Sequence, residues 1–192
     1  EQAKNSHDKP AQIVQDAIMS SPQNVYPYLP SSNSIRQTIH RVRHIDLSTE
    51  PSSLENLFIP ENMKTILNGL EFLISDSVVG QGRILVFTTV DNVRHLSRSR
   101  FWLMDGTFKT VPTFFRQLYT IHGCVGGNEN SRVMPLVFAL MSSKSEEFYR
   151  RLFQRLIDFG EEYGIYLSPQ VVLTDFEMAA ISAIQLEFEE VQ

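Results

Sequence analysis

Residues 101–125 read FWLMDGTFKTVPTFFRQLYTIHGCV, and the fold turns on how this stretch divides. The apolar run Phe101-Trp102-Leu103-Met104 meets Asp105-Gly106, which predicts a short buried strand ending in a carboxylate and a turn. Residues 117–125 alternate well enough for a second strand. Residues 133–141, VMPLVFALM, are almost wholly apolar, as expected of a central strand covered on both faces. Gly126-Gly127-Asn128 supplies the turn between these two, so they should form an antiparallel hairpin.

A helix is expected next. Ser143 and Glu146 have capping-box spacing, and Tyr149, Leu152, Phe153, Leu156 and Ile157 share one face, opposite Arg151, Arg155 and Asp158. Gly160 and Gly164 offer stops. Residues 170–173 read as another buried strand running into Thr174-Asp175, and Ala180, Ala183, Ile184 and Phe188 mark one face of a last helix. The predicted order is β-β-β-α-β-α in an α/β fold with a mixed sheet. A right-handed crossover after the third strand lets the fourth lie parallel to the first, with Asp105 and Asp175 at the same sheet edge.

The preceding residues are less regular. Pro10, Pro22, Pro27 and Pro30 interrupt residues 1–31, which read as linker with a helical pattern at 13–19. From Ser32, Ile35, Ile39 and Val42 mark an amphipathic helix flanked by Arg36, His40 and Arg43. Pro51 and Pro60 mark breaks, and residues 72–74 and 84–90 suggest a strand pair around Gly80 and Gly82, followed by a short helix at 91–98. The expected organisation is a linker and helical segment (1–60), short strands and a helix leading into the core (61–100), and the core itself (101–192).

Composition narrows the function classes. The 192 residues, 42% hydrophobic, suffice for one domain with an appendage. A single cysteine, Cys124, excludes a disulfide framework or a CxxC zinc site and fits an intracellular chain. No apolar run has the length of a bilayer span, and the start EQAKNSHDKP lacks the apolar core of a secretory signal, so a soluble chain without a membrane partner is expected. A formal charge of -5 argues against a general electrostatic grip on nucleic acid, so any DNA contact must be local. The missing initiator Met and the ending EFEEVQ suggest a segment of a longer protein.

Two carboxylates brought to one sheet edge repel, and divalent cations relieve that repulsion. Mg²⁺ or Mn²⁺ ions held about 3.5 to 4 Å apart would activate a water or a DNA 3′ hydroxyl and stabilise the leaving oxygen in phosphoryl transfer. Each residue also has a plainer reading. Asp105-Gly106 can be an ordinary turn, and Asp175 stands where a helix N-cap belongs. Glu177 reads as a solvent residue complementing the helix dipole, and His122 as a core or strand-face histidine. Phe114, Phe115 and Tyr119 read as core or loop anchors before a base-stacking platform. Lys109 and Arg116, in the loop after Asp105, and Arg36, Arg41 and Arg43, on the first helix, are solvated charges or phosphate contacts.

Together these blocks resemble a known family. DGTFKTVPTFFRQLYTIHGCV (105–125), MPLVFALMSSKSEEFYRRLFQRL (134–156) and VVLTDFEMAAISAI (171–184) are similar, in order, to the transposase domain of Mutator-like elements. LPSSNSIRQTIHRVRH, SLENLFIP and GRILVF look like the segment preceding that core. The resemblance implies an incomplete ribonuclease H-like fold and an Asp, Asp, Glu triad that cuts transposon ends and joins them to target DNA with Mg²⁺ or Mn²⁺. Asp105 matches the first acid and Asp175 the second, both catalytic and metal-binding; the third has no counterpart up to Gln192. The Cys and His residues usual soon after the second acid, and an upstream zinc-finger module, are also absent. The chain alone is therefore expected to be inactive. The partners implied are double-stranded DNA and further copies of the chain, in the nucleus. The alternative is a domesticated nuclear module that binds DNA or protein without catalysis.

Overall fold

The computed structural model describes residues 9–45, 53–109, 111–127, 130–188 and 191–192. The chain divides into two compact units, Glu1–Pro51 and Ser52–Gln192.

In the first unit α1 (Pro10–Met19) opens with proline at a position whose N–H has no helical partner to lose. A 3₁₀ helix (Gln23–Tyr28) follows, then α2 (Ser32–Ile45). Much of the stretch read as linker is therefore helical. Ile13 and Val14 pack with Ile39, and Ile18 and Ile35 flank them, so the apolar stripe expected on α2 is used.

The second unit contains α3 (Glu61–Lys64), α4 (Val90–Arg98), α5 (Glu146–Glu162) and α6 (Met178–Glu187) around one six-stranded mixed sheet. The strands are β1 (Leu73–Val79), β2 (Gly82–Phe87), β3 (Phe101–Thr107), β4 (Gln117–Val125), β5 (Arg132–Met141) and β6 (Val171–Leu173). Their spatial order is β1-β2-β5-β4-β3-β6, antiparallel throughout except that β3 and β6 run parallel. The predicted order β-β-β-α-β-α and the parallel pairing of its first and fourth strands are both present. The hairpin β1–β2 joins the same sheet through β5.

Alternation along each strand separates two faces. One carries Ile84, Val86, Trp102, Met104, Tyr119, Ile121, Val137, Ala139 and Met141, which pack with Val93 and Leu96 of α4, Tyr149, Leu152, Phe153 and Leu156 of α5, and Ala180, Ala183 and Ile184 of α6. Phe188 stacks edge-on against Trp102 and Phe153, completing the face predicted for α6. The other face is covered only in part. Leu73, Leu85 and Phe115 pack there with Leu54, Leu57 and Ile59. Arg83 fastens that covering segment, donating to both Asp76 carboxylate oxygens at 2.6–2.7 Å and to the carbonyls of Leu54 and Leu57.

Where that cover stops, apolar side chains reach solvent: Phe101 and Leu103 on β3 and Leu173 on β6 are exposed. The strands read as buried are thus buried on one side only, and Val133 and Met134 likewise leave the start of β5 uncovered. How far the second side of a strand is covered depends on what packs there, which an apolar run cannot reveal.

The helix ends also differ in detail from the expectation. Ser145, not Ser143, is the N-cap of α5; its side chain makes no cap bond, and Ser143 Oγ instead accepts the Ser145 N–H. The capping box is not formed. At the other end the Gly164 N–H donates to Glu161 O and the Ile165 N–H to Gly160 O, the paired bonds of a Schellman stop, with Gly164 at φ 67°. Beyond α6 the chain returns to β6: Val172 N–H donates to Gln192 O and Gln192 N–H to Gln170 O, a parallel pairing on the free edge of the sheet. Among the described residues no helix is long and apolar enough to cross a membrane.

Candidate functional site

β3 does not end at Asp105. It continues to Thr107, with Asp105 opposite Thr120 and Gly106 opposite Tyr119, so Asp105-Gly106 is part of the ladder and not a turn. Asp105 is exposed, on the same face as Phe101 and Leu103. The parallel register sets Leu103 beside Leu173, and two residues further along each strand direction stand Asp105 and Asp175. Asp175 is exposed in the loop between β6 and α6, where Thr174 Oγ1 donates to its Oδ1 at 3.5 Å. It is not the helix cap, because Glu177 occupies that position. Neither aspartate keeps the plain structural role that sequence allowed it.

Tyr119 reports the electrostatics of this edge. Its ring is buried, and its hydroxyl lies 3.4 Å from Thr174 Oγ1. Burial pushes the phenol's pKa up; the bond with Thr174 lowers it, and the negative charges of Asp175, Glu177 and Asp105 raise it again. One hydroxyl therefore senses all three carboxylates. Gly106 leaves no room beside it, since a Cβ there would come 2.8 Å from Gln117 Oε1.

Glu177 is more enclosed than a solvent residue. Its carboxylate, 19% exposed, accepts from Lys144 Nζ at 3.1 Å rather than capping α6. The same ammonium lies 3.9 Å from the centroid of the Phe108 ring. Behind Glu177, Tyr149 accepts from Gln117 Nε2 at 2.7 Å and stacks edge-on against Tyr119. Burial is the largest cause raising the Tyr149 pKa, and the charge and hydrogen bonding of Glu177 add to it. Gln117 Oε1 is buried without a partner.

The remaining candidates fall elsewhere. Lys109 and Arg116 are exposed on the segment between β3 and β4, and the Arg116 N–H is held by Met141 O. Arg36 and Arg41 are exposed on α2 in the first unit; the Arg43 side chain lies outside the described residues. His122 stays on the strand face, its Nδ1 3.2 Å from Leu103 O. Phe115 and Tyr119 are core residues, as expected. Sequence reasoning missed Lys144 and the enclosure of Glu177. A lone lysine between a strand and a helix carries no periodic signal.

Two exposed carboxylates that neither turn nor cap are oxygen donors of the kind Mg²⁺ and Mn²⁺ take, so the pair fits part of a coordination sphere. Among the described residues no three His, Cys, Asp or Glu side chains gather around a metal position. Glu177, sensed by Tyr119, is paired with Lys144.

The fold is a mixed α/β sheet in which Asp105 and Asp175 each stand two residues beyond the last bridged pair of the parallel strands. Residues 101–192 match the family model of the MULE transposase domain. The match starts where β3 starts, although the sheet it joins begins at Leu73. No curated protein and no solved structure gives a significant match.

Proposed function

We propose that the second unit is a ribonuclease H-like transposase core in which Asp105 and Asp175 hold Mg²⁺ or Mn²⁺ for hydrolysis and strand transfer on double-stranded DNA. The observation that carries this reading is the parallel register of β3 and β6, which brings both aspartates to one edge and frees them from turn and cap duties. The order β5-β4-β3-β6, with Gln192 bonded in parallel fashion to the edge of β6, supports the ribonuclease H-like assignment.

When bound, the metal supplies a lowered pKa for an attacking water or 3′ hydroxyl and charge neutralisation at the leaving oxygen. The chain's own part is placement. Asp105 is fixed by the ladder and Asp175 by the loop that Glu177 and Thr174 anchor. Lys109 and Arg116 flank the same edge in sequence and would meet phosphates, which position DNA without reading its sequence. The implied partners are transposon ends, target DNA and further copies of the chain, in the nucleus.

The test is strand cleavage of the element's terminal DNA, with Mg²⁺ and with Mn²⁺, by the full product of the gene that encodes this chain. Asp105→Asn and Asp175→Asn should each abolish measurable cleavage, since Asn keeps the shape of Asp and loses its charge. Cleavage at the unaltered rate by both variants would overturn the assignment and favour a non-catalytic binding module.

A further inference from the structure

We propose that Lys144 is the positioning residue of the acidic pair, one ammonium tying the chain just past Asp105 to the chain just past Asp175. The inference rests on the metal-binding reading above and deepens it.

Phe108 stands three residues after Asp105, and Glu177 two residues after Asp175. Lys144 Nζ reaches both, 3.9 Å from the Phe108 ring centroid and 3.1 Å from Glu177 Oε2. Neither interaction has an ordinary local purpose. Phe108 is 48% exposed and outside the core, and Glu177 occupies a cap position without capping. Lys144 itself sits just before α5, whose first turn is seated by buried Phe148 and Tyr149. The base of the tether is therefore fixed by the core, and its tip joins Phe108, the first residue after β3, to the loop that follows β6. Holding ligands at one spacing before a cation arrives is what makes a two-carboxylate site bind at all, because Mg²⁺ and Mn²⁺ demand near-regular oxygen geometry.

The two roles a lysine can play here have opposite signs. As a mere positive charge near the site it repels a divalent cation, so its removal would tighten metal binding. As a positioning residue its removal loosens the ligands, and groups that hold metal ligands typically change affinity by about tenfold or more when removed.

The experiment measures Mn²⁺ affinity of this chain from the free-ion electron paramagnetic resonance signal, alongside thermal melting. Lys144→Met, which keeps the stem against Phe108, should weaken Mn²⁺ binding about tenfold, with the melt confirming that the variant is folded at the temperature of the measurement. Lys144→Arg should restore it, since a guanidinium serves both partners. Phe108→Leu, at an exposed ring that folding does not depend on, should weaken binding in the same direction. Affinity that is unchanged or tighter in Lys144→Met, or equally reduced in Lys144→Arg, overturns the tether. Asp105→Asn and Asp175→Asn report separately: Mn²⁺ binding that survives both overturns the metal reading itself.

Discussion

Asp105 and Asp175 stand each two residues beyond the last bridged pair of the parallel strands, Leu103 and Leu173. Both are exposed, and neither closes a turn nor caps a helix. Asp105→Asn and Asp175→Asn should therefore leave stability within about 0.5 kcal/mol of the unaltered chain, or raise it slightly by removing like charge. Urea denaturation checks this. A loss above about 1.5 kcal/mol in either variant would return that aspartate to a structural role.

The hydrogen bond from Gln117 to Tyr149 is buried beneath the acidic edge. Tyr149→Phe removes the shorter of the Gln117 amide's two bonds, leaving only Met141 Sδ as acceptor, and takes a neighbouring hydroxyl from Glu177, which should cost about 1 to 3 kcal/mol. Gln117→Leu should cost less, because it also removes the unpartnered Oε1. Combining the two in a double-mutant cycle should give a loss smaller than the sum. Simple additivity would show that the pair does not act as one unit.

Both phenols, Tyr119 and Tyr149, have raised pKa values, with burial the first cause of each. A raised folded value means that the native chain keeps a proton the unfolded chain releases. Stability is then complete below the unfolded phenol value of about 10 and falls as pH rises above it. The slope should reach about 1.4 kcal/mol per pH unit for each tyrosine. Urea midpoints taken upward from about pH 9 measure it, and Tyr119→Phe should flatten the fall. An alkaline profile that stays level would mean that neither hydroxyl is shielded as described.

On α2, Arg36 and Arg41 are exposed on a helix whose apolar stripe packs through Ile35 and Ile39. If they meet phosphates, replacing both with Ala should reduce the salt dependence of DNA binding by about 0.9 in log-log slope for each phosphate no longer neutralised. The measurement is affinity for duplex DNA across a salt series. An identical slope would leave the two arginines as a solvated helix flank.

The order of elements from β3 to α6 is legible in the sequence, because apolar residues recur with period 2 in strands and 3.6 in helices, and that pattern is local. The same pattern named the faces of α5 and α6 and, through a crossover that lets the fourth strand lie parallel to the first, set Asp105 and Asp175 on one edge. What the pattern could not say is how much of each apolar run finds a partner. Phe101, Leu103 and Leu173 look like core in sequence and are exposed, because burial on the second face depends on what packs there from elsewhere in the chain. The caps moved to Ser145 and Glu177, and β3 ran on past Asp105, since ladder bonds to β4 outweigh the local turn preference of Asp-Gly. Lys144 met Glu177 across 33 residues. A pairing of that separation is decided by where two ends of a packed sheet and its helices come together, and only the tertiary structure holds that information.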